Sequence, residues 1–223
     1  MHNEKQAAAA QALKMVKPGM KIGLGTGSTA KIFIDMLGEL NKKEDLKLTC
    51  IATSVASEEQ AKGLGLKLAG FGKIKELDIA FDGADKVDKK LNLIKGLGGA
   101  LVREKIVDYR AGKFIVMAGQ NKLVQKLSGT VPIEVIPMAE EAVKMDLVKI
   151  GAKKFETRMK GERKFISDNS NLMLHVEFGE IQEPAKLEKM INSIPGVVDN
   201  GIFANKRPVV IVGKQDGSAD TLG

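Results

Sequence analysis

Four segments of this chain carry side chains and backbone suited to chemistry. Gly23-Leu24-Gly25-Thr26-Gly27-Ser28-Thr29 reads as a glycine turn between a strand and a helix. Glycines permit a tight turn and close approach of backbone to an anion. The N–H groups and hydroxyls that follow, at the positive end of a helix, can hold a phosphate or sugar oxygens. Asp82-Gly83-Ala84-Asp85 follows the apolar Ile79-Ala80-Phe81, so both carboxylates are expected at the carboxyl end of a strand, where ligands bind in open α/β sheets. Their spacing by three lets both acids face one pocket, although Asp and Gly are also ordinary turn formers. Lys95-Gly96-Leu97-Gly98-Gly99 opens another loop and runs into a helix carrying Arg103-Glu104-Lys105. The loop's N–H groups could stabilise an oxyanion, and Lys95 could orient or polarise a hydroxyl or carbonyl oxygen. Glu104, early in the helix, could turn back towards the same pocket. Asn121-Lys122 adds a further cation after the strand Phe114–Ala118.

Each feature alone is compatible with ordinary surface; together they fit proton abstraction next to a carbonyl. That chemistry needs a carboxylate base, an oxyanion stabiliser, groups to shuttle hydroxyl protons and a grip on a distal phosphate. Two nucleotide readings compete for the first turn. Gly25-x-Gly27-x-x-Ala30 matches a permissive dinucleotide fingerprint, but the acid expected ~20 residues on is missing, because the second strand ends in Ala52-Thr53-Ser54. A P-loop closes on Gly-Lys-Ser/Thr, whereas Gly27-Ser28-Thr29 has no lysine. His2 and His175 are isolated and read as surface or structural residues, so neither metal nor cofactor is expected. The single cysteine, Cys50, lies in Leu48-Thr49-Cys50-Ile51 and reads as a small core hydrophobe.

The elements that must position these residues alternate. A helix opened near Asn3 runs from Ala7 to Lys17 and stops at Pro18-Gly19. Strands are expected at Met20–Leu24, Leu46–Ala52, Leu66–Ala69, Asp78–Phe81, Leu91–Ile94 and Phe114–Ala118. Between them, helices follow Thr29 to about Leu40, start at a capping box Ser57-Glu58-Glu59-Gln60, and run from Gly99 through Tyr109. This alternation argues for an α/β fold, a Rossmann-like, mostly parallel sheet flanked by helices. After Pro137 the texture changes to a helix at Met138–Ile150, strand segments at Lys153–Met159, Phe165–Asp168 and Leu172–Phe178, and a helix at Pro184–Ser193. Strands at Gly201–Ala204 and Val209–Val212 finish the chain. We therefore expect a catalytic domain over 1–130, joined by the returning strands of 201–223, and a smaller α+β lobe over 131–200.

Composition bounds the class. With 223 residues, 43% hydrophobic and 28% charged, the chain has the profile of a globular protein with one core or a core and a satellite. No uninterrupted apolar run of ~18 residues suggests a membrane span, and the polar N-terminus does not read as a signal peptide. A cytoplasmic location is expected. The net charge of +7 invites a nucleic-acid reading. The cations are scattered among acids, however, as in Lys42-Lys43-Glu44-Asp45 and Lys160-Gly161-Glu162-Arg163-Lys164. They suit solvated surface and small anionic substrates rather than nucleic acid.

In order and spacing, Gly25–Thr29, Asp82–Asp85 and Lys95–Gly98 with Arg103-Glu104-Lys105 resemble the signature motifs of A-type ribose-5-phosphate isomerases. Val135–Ala139, Asp168-Asn169, Ile194–Val198 and Phe203-Ala204-Asn205 resemble that family as well, so the likeness covers almost the whole chain. The resemblance implies interconversion of ribose 5-phosphate and ribulose 5-phosphate through an enediolate, in the non-oxidative pentose phosphate pathway, without metal or cofactor. It implies that Glu104 moves hydrogen between C1 and C2. Thr26, Gly27, Ser28, Thr29, Asp82, Gly83, Ala84, Asp85, Lys95, Gly96, Leu97, Gly98 and Lys122 would bind substrate. Asp82 is assigned to ring opening, and Asp85 with Lys95 to hydroxyl proton transfer. Ser28, Thr29, Lys122 and Lys5 are assigned to the phosphate. A homodimer or homotetramer is implied.

One departure bears on the site. Leu97 stands where the family usually has a third glycine; leucine costs energy there if the backbone needs φ > 0. The family's Thr-Ser-x-x-Ser stretch is kept as Thr53-Ser54-Val55-Ala56-Ser57, and Met159–Ser167 is more basic than the family leads one to expect. A non-catalytic sugar-phosphate sensor is the rival from another class. It needs a DNA-binding module ahead of a first strand that already starts at Met20, and it leaves Glu104 and Lys95 without a chemical task. A coenzyme A transferase-like reading would use a glutamate nucleophile but leaves Gly25–Thr29 and Asp82–Asp85 unexplained.

Overall fold

Runs of buried Ile, Leu, Val, Phe and Ala too short for helices become strands covered on both faces, which is what a parallel sheet requires. The computed structural model describes residues 2–223, with side chains from Asn3 onward, as two compact units. Unit 1 comprises Met1–Ala84, Arg103–Lys122 and Lys206–Gly223; unit 2 comprises Asp85–Val102 and Leu123–Asn205.

The chain opens with α1 (His2–Leu13), whose Ala8, Ala9 and Ala12 are fully buried, so small side chains let the helix lie close on its neighbours. The helix stops four residues before Lys17, where Met15 and Val16 N–H groups bond back to Ala12 and Leu13 in a tight turn. Next come β1 (Lys21–Leu24), α2 (Ser28–Glu44), β2 (Thr49–Ala52), α3 (Val55–Gly63) and β3 (Leu77–Gly83). The cap of α3 is Ser54, whose side chain accepts from Ser57 N–H, so the helix is capped three residues before the expected capping box and Ser57 is buried inside the helix. Only Leu68 of the expected strand Leu66–Ala69 pairs, by a parallel bridge to Cys50, because Gly65 in the left-handed region and Gly70 bracket a segment too short to extend the ladder.

Beyond β3 lie β4 (Lys86–Val87), β5 (Leu93–Ile94), α4 (Leu101–Tyr109) and β6 (Ala111–Gly119). Then follow β7 (Ser128–Val135), α5 (Glu140–Lys149), β8 (Lys154–Thr157), the hairpin β9 (Met159–Lys160) and β10 (Arg163–Lys164), and β11 (Leu172–Glu180). The chain ends with α6 (Pro184–Asn192), β12 (Val197–Asn200), β13 (Ile202–Phe203), β14 (Val209–Gly213) and β15 (Ala219–Leu222).

Unit 1 holds a six-stranded sheet in the order β15-β14-β6-β3-β1-β2, parallel except for the antiparallel edge strand β15. This is the mostly parallel α/β sheet expected. Ile22, Leu24, Phe33, Leu37, Phe81, Ile115 and Ile211 form its core, with the Phe33 and Phe81 rings 4.3 Å apart. Cys50 belongs to this core, where burial pushes its thiol up to about 12.

Unit 2 holds an antiparallel sheet in the order β12-β7-β11-β8 and a small sheet in the order β13-β5-β4. Its core joins Ile133, Val135, Leu174 and Val176 to Val143 and Leu147 of α5 and Ile191 of α6. Strand β7 escaped the sequence reading, and Pro132 explains why: a proline normally argues against an interior strand. Its missing N–H lies on the β12 side, where that strand gives way at Gly201, whose own N–H donates to the Pro132 carbonyl at 2.7 Å. A Cβ on Gly201 would stand 2.7 Å from the proline ring, so glycine is what makes room for it. Among the described residues, no helix is long and apolar enough to cross a membrane.

Candidate active site

In unit 1 the carboxyl ends of the parallel strands carry the chemistry-bearing turns. The Gly25 N–H donates to the Phe81 carbonyl at 2.8 Å, extending the β1–β3 ladder by one bond. Gly27, at φ +102, then turns the chain into α2, and the Lys31 N–H closes the first helical bond on the Gly27 carbonyl at 2.9 Å. The amides of Ser28, Thr29 and Ala30 precede that bond, so they point out of the helix end, where an anion is favoured. Lys5 of α1 reaches this turn, with Nζ donating to Ser28 Oγ at 2.9 Å. The approach depends on Gly213 at the end of β14, where a Cβ would stand 1.8 Å from the Glu4 carbonyl oxygen.

The turn is fastened from two sides. Asp82, fully buried at the end of β3, accepts on Oδ1 from the Thr26 N–H at 2.9 Å and the Gly83 N–H at 2.7 Å. Thr26 Oγ1 lies 2.6 Å from Thr53 Oγ1 and donates to Ser54 Oγ at 2.8 Å, while Ser57 Oγ donates to the Gly25 carbonyl at 2.6 Å. The Thr53-Ser54-x-x-Ser57 stretch thus serves to hold the glycine turn.

Glu104 sits in the first turn of α4 and is buried. One helical turn on, Val107 packs on β1, so closely that a Cβ on Gly23 would stand 2.7 Å from it. Since α4 leads into the amino end of β6, its own N-terminus lies at the carboxyl edge of the sheet. Glu104, on the same face as Val107, is therefore carried to that edge. Lys122 follows β6 in a short 3-10 turn, Gln120–Lys122, on the same edge and partly buried. Gly83 and Ala84 close unit 1's share of the Asp82–Asp85 segment.

In unit 2, β4 and β5 bring Asp85 against the lysine–glycine loop. The Asp85 N–H donates to the Ile94 carbonyl at 2.8 Å, and its Oδ2 accepts from the Leu97 N–H at 3.0 Å. Lys95 is almost fully buried, its backbone N–H donating to the Gly201 carbonyl at 2.9 Å and its Nζ 5.3 Å from the centre of the Phe203 ring. Gly96 and Gly99 adopt φ +88 and +99, and the Gly99 N–H closes a turn on the Gly96 carbonyl at 2.9 Å. Leu97 has no positive φ and Gly98 is exposed, so leucine at position 97 carries no backbone strain.

The sequence reading missed Arg158, which follows β8. Its Nη1 donates to the Leu97 carbonyl at 2.9 Å, and its guanidinium lies 3.9 Å from the centre of the Phe165 ring. The available signal was an arginine beside an aromatic within one basic hairpin, which does not say what the arginine reaches. His175, read as a surface or structural residue, is half-buried in the same unit; burial, with the nearby Arg158 charge, holds its imidazole below the ordinary value. The side chain of His2 lies outside the described residues. Among the described residues no three His, Cys, Asp or Glu side chains cluster to hold a metal.

Residues 49–217 match the family model of ribose 5-phosphate isomerase A, also called phosphoriboisomerase A. The ribose-5-phosphate isomerase A of Trichodesmium erythraeum is 45% identical over 218 residues, covering 95% of this chain and 91% of that protein. The structure of ribose 5-phosphate isomerase A from Methanocaldococcus jannaschii superposes with a TM-score of 0.92 at 42% identity, covering 98% of this chain and 97% of that one. A D-ribose-5-phosphate isomerase in complex with phospho-erythronic acid superposes with a TM-score of 0.93 at 42% identity, covering 98% and 96%. Across sequence and fold alike, this chain belongs to the ribose 5-phosphate isomerase A family.

Proposed function

We infer that the chain carries out the reaction named for its family, interconverting D-ribose 5-phosphate and D-ribulose 5-phosphate, and that Glu104 is the base. The observation that supports Glu104 is its burial at the first turn of α4, on the carboxyl edge of the parallel sheet. In the open-chain aldose, the Glu104 carboxylate takes the C2 proton, and the electron pair moves through C1 onto the carbonyl oxygen to form an enediolate. A hydroxyl proton passes between O2 and O1, and protonated Glu104 returns its proton to C1. Microscopic reversibility gives the reverse reaction.

The remaining roles follow local chemistry. Ser28 and Thr29 at the start of α2, with Lys5 and Lys122, hold the phosphate by charge and by helix-end amides. Asp82 takes part in opening the sugar ring; the two amides on its Oδ1 fix the direction of its other oxygen. Asp85 with Lys95 moves the hydroxyl proton, and the lysine–glycine loop supplies an amide to the oxyanion. No metal or cofactor enters this scheme. The active species is a cytoplasmic homodimer or homotetramer, a state in keeping with the exposed Met138, Met145 and Val148 on and beside α5.

The test is ribulose 5-phosphate formation from ribose 5-phosphate by the purified protein in EDTA, with Glu104→Gln alongside. A base of this kind contributes about 10²–10⁴-fold. Metal-independent turnover that falls by that factor in the variant supports the reading. A wild type that binds the sugar phosphate without converting it turns the assignment towards a sensor.

A further inference from the structure

The Leu97 residue of unit 2 is gripped at both ends. Its N–H goes to Asp85 Oδ2 at 3.0 Å and its C=O receives Arg158 Nη1 at 2.9 Å. Its carbonyl shares a peptide plane with the Gly98 N–H. In a trans peptide those two groups point in opposite directions, and among the described residues no peptide is cis. Arg158, drawing on the carbonyl from one side, therefore aims the Gly98 N–H to the other. Gly98 is exposed, and space around it is open enough that a Cβ there would meet nothing within 4 Å. The other loop amides with fixed partners are spent internally, Leu97 on Asp85 and Gly99 on the Gly96 carbonyl.

Arg158 is itself held in place. Phe165 stacks on its guanidinium at 3.9 Å, and the Phe165 N–H donates to the Arg158 carbonyl at 2.8 Å, so the β9–β10 hairpin folds the ring back onto the cation. A planar, permanently charged group backed by an aromatic ring loses little entropy in holding one direction. The seat admits no side chain at residue 99: a Cβ on Gly99 would stand 2.5 Å from the Phe165 ring and 2.8 Å from Arg158 Nη1. A hydrogen bond from a cation to a peptide carbonyl also polarises that peptide, making its N–H a stronger donor.

We propose that Arg158 is a positioning residue that orients and polarises the Leu97–Gly98 peptide, so that the Gly98 N–H donates to the oxygen on which the enediolate charge develops. The proposal rests on the isomerase reading and assigns a role to a residue outside the three motifs. A donor aimed at developing charge binds the enediolate more tightly than the substrate. Loss of Arg158 should therefore act on the chemical step and spare ground-state binding.

The experiment compares wild type, Arg158→Met and Arg158→Lys in kcat and KM for ribose 5-phosphate and in Ki for phospho-erythronic acid, whose carboxylate bears the charge that the enediolate oxygens bear. Thermal melting reports folding. For Arg158→Met we expect kcat to fall about 10- to 100-fold and Ki to rise by a similar factor, with KM within about threefold. Arg158→Lys, which keeps the charge but not the stacked plane, should recover part of both. Should Arg158→Met not fold, the lysine variant alone must show the same split. A Ki/KM ratio equal to the wild type's in the folded variants, or KM and Ki rising together, overturns the proposal while the isomerase reading stands. A wild type that makes no ribulose 5-phosphate overturns both.

Discussion

A Cβ on residue 25 would stand 2.2 Å from Asp82 Oδ1 and 2.5 Å from the Asp82 Cα, so the first glycine turn exists in this form only because Gly25 lies against the Asp82 backbone. The same oxygen accepts the Thr26 N–H. The carboxylate and the glycine turn are thereby held as one piece.

Gly25→Ala should consequently damage both. The overlap is with backbone as well as a fully buried carboxylate, so the turn must move. We expect a stability loss of about 1–3 kcal/mol and at least a tenfold drop in kcat/KM. Urea unfolding and steady-state kinetics check this; a variant with unchanged kcat/KM would show that the Asp82 contact is not part of the working site.

Lys5 offers a cleaner separation of binding from chemistry. Its Nζ bonds Ser28 Oγ at the start of α2, far along the chain from Glu104. Lys5→Met should raise KM for ribose 5-phosphate about 10-fold, as for the loss of one charge-assisted bond, with kcat within threefold. Inhibition by inorganic phosphate should weaken by a comparable factor. An unchanged phosphate Ki removes Lys5 from the phosphate site.

Leu97→Gly restores the residue usual in the family and should bring no gain. Leu97 has no positive φ, so glycine relieves no strain and only loosens the unfolded chain. The expected result is a stability decrease of about 0.5–1 kcal/mol with kcat within twofold. An increase in stability would mean that the loop does strain its leucine.

The fourth prediction concerns acid stability. Glu140 opens α5 in unit 2, largely buried, which by itself raises its carboxyl; the bonds it accepts from Lys164, Thr157 and Lys144 outweigh this and hold it at about 2. A carboxylate depressed in the folded state stabilises fully above its unfolded value, about 4.3, and that stability is lost as pH falls through the folded value. Wild type should therefore lose about 2 kcal/mol between pH 5 and pH 2 that Glu140→Gln does not lose. Denaturant midpoints across that range, read for both proteins, measure the difference; parallel curves would show the cluster to be without effect.

Much of the fold could be read from local pattern. The apolar runs around Ile22, Ile79 and Ile115 were legible as strands, and the mostly parallel sheet followed from their alternation with helices. Where the reading slipped, a long-range partner decided. Pro132 sits inside β7 because Gly201, distant in sequence, leaves space for its ring. Ser54 rather than Ser57 caps α3, since Ser57 is drawn inward to the Gly25 carbonyl. The short strand at Leu66–Ala69 shrank to one bridge at a sheet edge.

The same division runs through the candidate site. Sequence alone determined the glycine turn before α2, the acids at and just past the end of β3, the lysine–glycine loop and Glu104 in the first turn of α4. These depend on residue type, on short spacings and on where strands and helices end. Tertiary structure decided which way the polar groups point. Only the folded chain turns Asp82 onto Thr26, 56 residues away, and lays Arg158 on the Leu97 carbonyl, 61 residues away. Only it shows that Leu97 sits at an ordinary φ. Side-chain direction is set by packing between distant segments, and no local pattern in the chain encodes which distant group will be there to receive a hydrogen bond.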